Sequence, residues 1–341
     1  MKIAIDISPL QSGHKNRGVG FYTKNLVEAL GDKVEAVDFK KTDLSKYDIV
    51  HYPYFNPFVL SFPLFKKNKT VITIHDLIPL IYPNHYPPGF WGKIKFWLQK
   101  LALKNVEAII TDTETSKKDI VRFLGISAEK VFPIHLAPAK HFRVVNSKQK
   151  AIMKKKYALP DRFVLYVGDV NFNKNIPNLV RASKISRLPL VIVGKQAAEI
   201  ENQDLSHPEL FHLKKILLEL KSEHVIRLGF VSDEDLVAIY NLAAVYCQPS
   251  FYEGFGLPVL EAFACGTPVV AAKTQALVEI GEPACLFANP TKPKDLAEKL
   301  KLVIENKNLR NQLVETGKIL VKNYSWEKTA RETLRVYDEK V

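Results

Sequence analysis

Residues 249–273 read PSFYEGFGLPVLEAFACGTPVVAAK. Two glutamates, Glu253 and Glu261, have seven residues between them, with Gly254, Phe255, Gly256, Leu257 and Pro258 following the first. Glycine lets backbone N–H groups approach a ligand closely. Proline suits the first turn of a helix, where no N–H partner is needed. The pattern predicts a loop feeding a helix that runs to about Ala264 and stops at Gly266-Thr267-Pro268. Free N–H groups and the positive dipole end make such a helix start an anion site. Carboxylates on both sides of a phosphate cradle would repel the phosphate itself. They suit hydroxyl-rich groups beside it, as in a sugar–diphosphate–ribose layout. Spacing alone leaves a second reading open, in which Glu253 is solvated and Glu261 caps its helix.

The rest of the chain supplies the context. A length of 341 residues gives room for two domains with ample cores. A hydrophobic content of 47% and a charged content of 25% are those of a globular protein. Cys247, Cys265 and Cys285 are odd in number, far apart and free of a C-x-x-C pair, against a zinc or disulfide framework and in favour of a reducing, cytoplasmic setting. The opening MKIAIDISPL breaks its apolar run at Asp6 and reads as a strand, not a signal peptide. No run approaches the ~18 apolar residues of a spanning helix. Of the net charge of +13, residues 1–150 carry +10, from 23 Lys and Arg against 13 Asp and Glu. An acidic partner is therefore expected on that half: an anionic membrane surface, a phosphorylated acceptor or nucleic acid.

Strand and helix patterns alternate throughout, which implies an α/β architecture of two Rossmann-like domains with parallel sheets. In the first, Lys2–Ile7 reads as a strand and Phe21–Leu30 as an amphipathic helix. Gly18 and Gly20, with Arg17 beside them, sit just before that helix, as a second anion turn or as a plain βα loop. Strands follow at Ile49–Tyr52 and Thr70–His75. Ligands sit beyond the carboxyl ends of strands in open α/β sheets, which places His75 well, although a lone histidine is more often structural. Asp76 is placed to orient His75 or to touch an acceptor. The segment Phe90–Lys104 interleaves Trp91 and Trp97 with Lys93, Lys95, Lys100 and Lys104. It reads either as an interfacial membrane helix, joined by Lys66, Lys67 and Lys69, or as an ordinary surface helix. Ala108–Thr113 reads as a strand, and Thr113 opens the next helix. The Lys-rich stretch Lys140–Lys156 reads as a polar link.

The second domain opens with strand Phe163–Val167, Gly168 and Asp169, then Asn171, Asn173 and Lys174 before a helix near Ile176. There a lysine and a helix start can share one phosphate, or the lysine is simply exposed. Pro189–Gly194 and Val225–Phe230 read as strands, and Ser206–His224 as helical. Asp233, Glu234 and Asp235 follow Ser232 as helix-start acids, in preference to a metal-binding D-x-D. Ala243–Gln248 leads back into the opening stretch.

That stretch, S-x-x-E-G-F-G-L-P-x-x-E-A-x-A-x-G-x-P-V-V over residues 250–270, resembles the Glu-x7-Glu signature of retaining glycosyltransferases of family 4. The resemblance extends over nearly the whole chain and implies the GT-B fold. Its implied organisation is an acceptor-side domain over 1–145, a nucleotide-sugar domain over 146–322 and a final helix over 323–341 that packs back towards the first. It implies that Glu253 contacts the donor sugar, that the Gly254–Leu257 backbone and Lys174 hold the diphosphate, and that Glu261 binds the ribose. Gly18 and Gly20 then face the donor phosphates, backbone near Val231 reads the base, and His75 lines the sugar pocket, with Asp76 and Thr113 on the acceptor side. Two departures stand out: Thr113 replaces the family's first serine, and Asp169 replaces the usual arginine after Gly168, where Asn171 and Asn173 offer hydrogen bonds instead. The stretch IHDLIPL and the terminal YSWEKTA resemble a bacterial mannosyltransferase-like branch. The implied activity is metal-independent transfer of a hexose, with mannose first, from GDP-mannose or a UDP-sugar to a lipid-linked or surface-polysaccharide acceptor, at the inner face of the membrane. Two alternatives stand beside it. One is a GT-B nucleotide-sugar epimerase or soluble glucan synthase. The other is a polyanion-binding protein on an inactive GT-B scaffold, although no nucleic-acid motif supports it.

Overall fold

The computed structural model describes residues 1–11 and 18–340, so Arg17 lies outside the described residues. The chain divides into two compact units, Met1–Ala137 with Tyr324–Val341, and Pro138–Asn323.

The first unit is built on a parallel sheet of six strands: β1 (Ile3–Asp6), β2 (Glu35–Val37), β3 (Ile49–Tyr52), β4 (Lys69–Thr73), β5 (Ala108–Thr111) and β6 (Val131–Pro133). Their order is β2-β1-β3-β4-β5-β6. Strands β1, β3 and β5 are buried along their whole length, as expected where helices cover both faces of a parallel sheet. The first helix spans Gly18–Leu30, so Gly18 and Gly20 form its first turn and not the loop before it. The last helix, Trp326–Lys340, is part of the same unit. Trp326 meets the Phe21 ring edge-on at 5.8 Å, and Thr329 Oγ1 donates to the His135 carbonyl at 2.7 Å. Tyr337, fully buried, shares a 2.6 Å hydrogen bond with His51 Nδ1. His51 Nε2 continues the chain to Thr73 at 2.8 Å, and Thr73 to Tyr22 at 2.9 Å. Burial pushes the His51 pKa down to about 3, so this ring is neutral.

The second unit repeats the plan with β7 (Val164–Val167), β8 (Leu190–Val193), β9 (Val225–Leu228), β10 (Val245–Gln248), β11 (Val269–Ala272) and β12 (Cys285–Ala288). The order β12-β11-β10-β7-β8-β9 reverses between β7 and β10. A doubly wound sheet opens its ligand crevice at that reversal, beyond the carboxyl ends of the two strands.

Two segments differ from the sequence expectation. The stretch 140–156 is not a loose link: Asn146 caps a Ser147–Lys156 helix, and Asn241 binds the backbone of Arg143 and Val145. The region 206–224 holds only a 3-10 turn over Phe211–Ile216 and a short helix over Leu217–Leu220. Its apolar side chains Leu210, Leu213, Ile216 and Leu220, three or four residues apart, pack into the core of the second unit.

Candidate functional site

Both loops that leave the reversal point of the second sheet carry predicted site residues. After β10 the chain passes Pro249 and Ser250 and reaches Glu253, which is 7% exposed. Ser250 Oγ donates to Glu253 Oε1 at 2.6 Å, and Gln248 Nε2 donates to the same oxygen at 2.7 Å. Tyr246 OH in turn holds the Gln248 carbonyl oxygen. After β7 the chain turns at Gly168 (φ 140°), whose N–H donates to Val193. Lys174, six residues on, places Nζ 2.9 and 2.8 Å from the two oxygens of Glu253. The lysine head and the carboxylate, predicted as separate contacts, are thus one ion pair at the mouth of the crevice.

Asparagines fix the geometry of the two loops. Asn173, 3% exposed, donates from Nδ2 to the Tyr252 carbonyl at 3.1 Å, while its own carbonyl accepts from Phe251 N–H at 2.8 Å. Asn175 adopts φ 58° and donates to the carbonyls of Pro249 and Pro290, each at 2.8 Å. Left-handed backbone suits asparagine better than most residues. Lys174 lies between these two anchors, and its side chain therefore leaves a fixed backbone. Asp169 is exposed; its carbonyl accepts from Tyr166 OH at 2.5 Å. Asn171 keeps a buried side-chain oxygen that makes no hydrogen bond.

Beyond Glu253 the loop enters the Leu257–Ala264 helix with Pro258 in its first turn. Gly254 and Phe255 are buried, and Gly256 (φ 107°) stands at the helix N-cap. A Cβ on Gly256 would come 2.7 Å from Leu277 Cδ2. Packing and backbone angle together demand glycine here. Glu261 is 8% exposed and accepts a 2.8 Å hydrogen bond from Tyr240 OH, so it is not a helix cap. Burial pushes its pKa up to about 7 against the pull of Tyr240. Val231, 8% exposed, precedes Ser232, which caps the Asp233–Leu242 helix. Of the three acids there, Asp235 is tied to Lys156 and Tyr157 at 2.6 and 2.7 Å. Among the described residues no group of three His, Cys, Asp or Glu is arranged to hold a metal ion.

The first unit presents a separate constellation at the carboxyl edge of its sheet. His75 follows β4, and Asp112 follows the neighbouring β5. His75 Nδ1 lies 3.0 and 3.1 Å from the Asp112 oxygens, and the carboxylate is 5% exposed. Nδ1 therefore carries the proton shared with Asp112. His75 Nε2 is buried without a hydrogen bond of sound geometry. Burial lowers the pKa of the ring, but Asp112, Asp76 and the nearby Pro53 carbonyl outweigh it, and the net shift is upward. The Tyr22 ring packs edge-on against His75 at 4.7 Å, and Ser116 Oγ holds the His75 carbonyl at 3.0 Å. Asp76 Oδ1 accepts from Ile78 N–H at 3.0 Å. Thr113 is fully buried, and its hydroxyl caps the next helix by accepting from Ser116 N–H at 3.0 Å. Gly18 is exposed, with no atom of the described residues within 4 Å of its missing Cβ, and Gly20 is buried in the same turn.

Sequence reasoning missed Asp112, Gln248, Ser250, Tyr240 and Asn175. The first was within reach: TVITIHD and AIITDT end in polar residues at the same place on adjacent parallel strands. The others are ordinary polar residues in apolar runs, and only the folded register shows what they hold.

The chain is similar to known proteins along most of its length. Residues 148–320 match the family described as glycosyl transferases group 1, and residues 36–137 match glycosyltransferase family 4. The serotype-specific mannosyltransferase WbdA of Escherichia coli is 30% identical over 77% of this chain, which spans about a third (32%) of that longer protein. The O-antigen chain mannosyltransferase B of Escherichia coli is 28% identical over 80% of the chain and 71% of its own length. Anabaena Alr3699/HepE, solved in complex with UDP-glucose, superposes over 98% of both chains with a TM-score of 0.76 at 14% identity. That likeness shows the GT-B fold.

Proposed function

The chain belongs to the glycosyltransferases, group 1 in its second half and family 4 in its first, and from that premise we propose that it moves a hexose from a nucleoside diphosphate sugar to an acceptor hydroxyl with retained anomeric configuration. The observation that carries this reading is the Lys174–Glu253 pair, set at the reversal of β7 and β10 beside the start of the Leu257–Ala264 helix. A cation and a helix N-terminus suit a diphosphate, and a pre-oriented carboxylate suits the hydroxyls of a sugar next to it.

In the proposed reaction the bond between the anomeric carbon and the phosphate oxygen breaks as the acceptor oxygen bonds to the same face of that carbon. The acceptor proton passes to the departing phosphate oxygen. Lys174 and the helix start stabilise the charge that builds on the diphosphate and serve in place of a metal ion. Glu253, held by Ser250 and Gln248, orients the sugar, and Glu261 receives the ribose hydroxyls. In the first unit, His75, with its Nδ1 side fixed by Asp112, is the candidate group for the sugar. GDP-mannose is the first donor to try, because WbdA and the O-antigen chain mannosyltransferase B are mannosyltransferases. A glycan or glycolipid hydroxyl of a surface-polysaccharide precursor is the proposed acceptor.

The test is nucleoside diphosphate release from GDP-mannose and a panel of UDP-sugars, with and without EDTA and a lipid-linked acceptor. Release from one donor, insensitive to EDTA and lost in Glu253→Ala and Lys174→Ala, supports the reading. No nucleotide binding by the purified chain would sink it.

A further inference from the structure

The exposed face of the Gly89–Leu103 helix carries the side chains that a globular protein ordinarily hides. Its buried side is made of Gly92, Gln99, Ala102 and Leu103. Phe90, Trp97 and Leu101 recur on the opposite stripe and are 72%, 61% and 42% exposed, and neighbouring Trp91 is 70% exposed. A second segment packs against the buried side of this helix and carries exposed apolar side chains of its own. In the loop 57–65, Val59, Leu60 and Phe65 are 54%, 49% and 94% exposed.

The two segments are latched together. Gln99 Oε1 accepts from both N–H and Oγ of Ser61 at 2.9 Å. Its Nε2 donates to the carbonyls of Asn56 and Pro57 at 2.9 and 3.2 Å. Phe58 meets Phe96 edge-on at 6.3 Å, and its Cβ lies within van der Waals reach of Gly92, 3.4 Å from where a Cβ would stand. At the far end Lys66 Nζ donates to the Ala102 carbonyl at 2.5 Å, next to Leu101. Exposed aromatic and aliphatic side chains concentrated on one helix and the loop fastened to it mark a docking site, whereas scattered apolar residues do not.

Charge selects the occupant. From Ile49 to Val106 the chain has seven lysines and one acid, Asp76, whose Oδ1 accepts from Ile78 N–H beside His75. Lys93 and Lys104 are exposed on one flank of the aromatic stripe. Two copies docked through this face would set lysine against lysine, because a two-fold contact pairs a patch with itself. An anionic lipid surface satisfies both parts, with indole and phenyl rings among the acyl chains and ammonium groups among the headgroups. Among the described residues no helix is long and apolar enough to cross a membrane, so contact here is in the plane of the interface. We propose that the Gly89–Leu103 stripe and the latched loop 57–65 together form one face that inserts into an anionic bilayer interface. This goes beyond the proposed transfer reaction, and its test needs no turnover.

The full chain is mixed with vesicles of phosphatidylcholine alone, or of phosphatidylcholine and phosphatidylglycerol in equal parts, and followed by flotation and tryptophan emission. Two of the three tryptophans lie on this face, and the third, Trp326, is 4% exposed, so the emission reports the face directly. Flotation and a blue shift are expected with the anionic vesicles and are weakened by salt. The pair Trp91→Ser/Trp97→Ser should lower partitioning about tenfold or more, and Lys93→Glu/Lys104→Glu should abolish the preference for phosphatidylglycerol. Phe65→Ser and Leu60→Ser, which leave the helix intact, should each lower it several-fold, as the composite face requires. The proposal is overturned if the native chain does not float, if the tryptophan variants float as well as it does, or if the loop variants bind unchanged. A concentration-dependent dimer that the tryptophan variants abolish would also overturn it.

Discussion

Lys174 Nζ lies 2.8 and 2.9 Å from the two carboxylate oxygens of Glu253, so each charge is already answered by the other. A diphosphate entering there gains the lysine but meets the carboxylate, and the two substitutions should therefore part company. Glu253→Gln keeps the shape and the Ser250 and Gln248 contacts while removing the negative charge. Affinity for the free nucleoside diphosphate should rise several-fold while turnover falls roughly a hundredfold or more. Lys174→Ala should weaken nucleotide binding and turnover together. It should also cost up to about 3 kcal/mol of stability, because a 7% exposed carboxylate loses its cation. Calorimetric titration with GDP and UDP, beside urea unfolding of each variant, separates these outcomes. Equal loss of affinity in both variants would show that the pair is structural.

Glu261 sets a pH dependence of its own. Burial holds its carboxyl near pH 7 in the folded chain, against 4.5 ordinarily. Between those values the folded chain keeps a proton that the unfolded chain gives up. Stability should therefore fall as pH rises from about 4.5 to about 7 and level off above, with a total of about 3 kcal/mol from this one group. Ribose hydroxyls donate best to the ionised form, so nucleotide affinity should climb over the same upper range, from about pH 6 to 8. Glu261→Gln should flatten both curves. A native affinity that does not change with pH would remove Glu261 from the ribose site.

The pattern of β and α elements was legible because strands such as LPLVIVG and TVITIHD are continuous apolar runs bounded by polar or glycine stops. Lys174, Glu253, Glu261 and His75 were legible because chain-local rules place them at strand ends and helix starts. What binds them was not. The partners of Glu253 come from β10 and from a loop 79 residues away, and that of His75 comes from the adjacent strand. Only sheet register brings such pairs together. The stretch 206–224 is helical only over its middle: a 3-10 segment over Phe211–Ile216 buries Leu213 and Ile216, and a short helix over Leu217–Leu220 follows. The first glycine turn was misplaced by a few residues because helix boundaries are poorly marked in a sequence.

Asp112 should prove a positioning residue for His75. Asp112→Asn preserves size and can still accept from Nδ1–H, so the variant removes charge alone. Burial then acts on the imidazole without its main counterweight, and the His75 pKa, raised in the native chain, should drop below 6.5. With the sign worked through, the native pair stabilises the fold fully below about pH 6.5 and loses that contribution as pH rises through the elevated pKa. The variant should lack this slope. If His75 serves the transfer reaction, turnover should fall roughly tenfold or more, with the pH profile displaced towards acid and KM for the donor little changed. A histidine resonance titrating at the native position in the variant would contradict the assignment.

Gly256→Ala tests whether the loop conformation itself is indispensable. The residue has φ 107°, a region that side-chain-bearing residues rarely enter, and a Cβ would sit 2.7 Å from Leu277 Cδ2 and 3.1 Å from Ile280 Cδ1. Strain of the backbone and overpacking each cost about 1–3 kcal/mol, so the melting temperature of the second unit should drop by several degrees. Leu277→Ala in the same chain relieves the clash but not the dihedral angle, and rescue should be partial. Nucleotide binding reports the functional side: the Leu257–Ala264 helix start moves with its N-cap, so affinity should fall even in the double variant. Full recovery of both stability and binding on adding Leu277→Ala would mean that packing alone, and not the left-handed turn, requires glycine at this position.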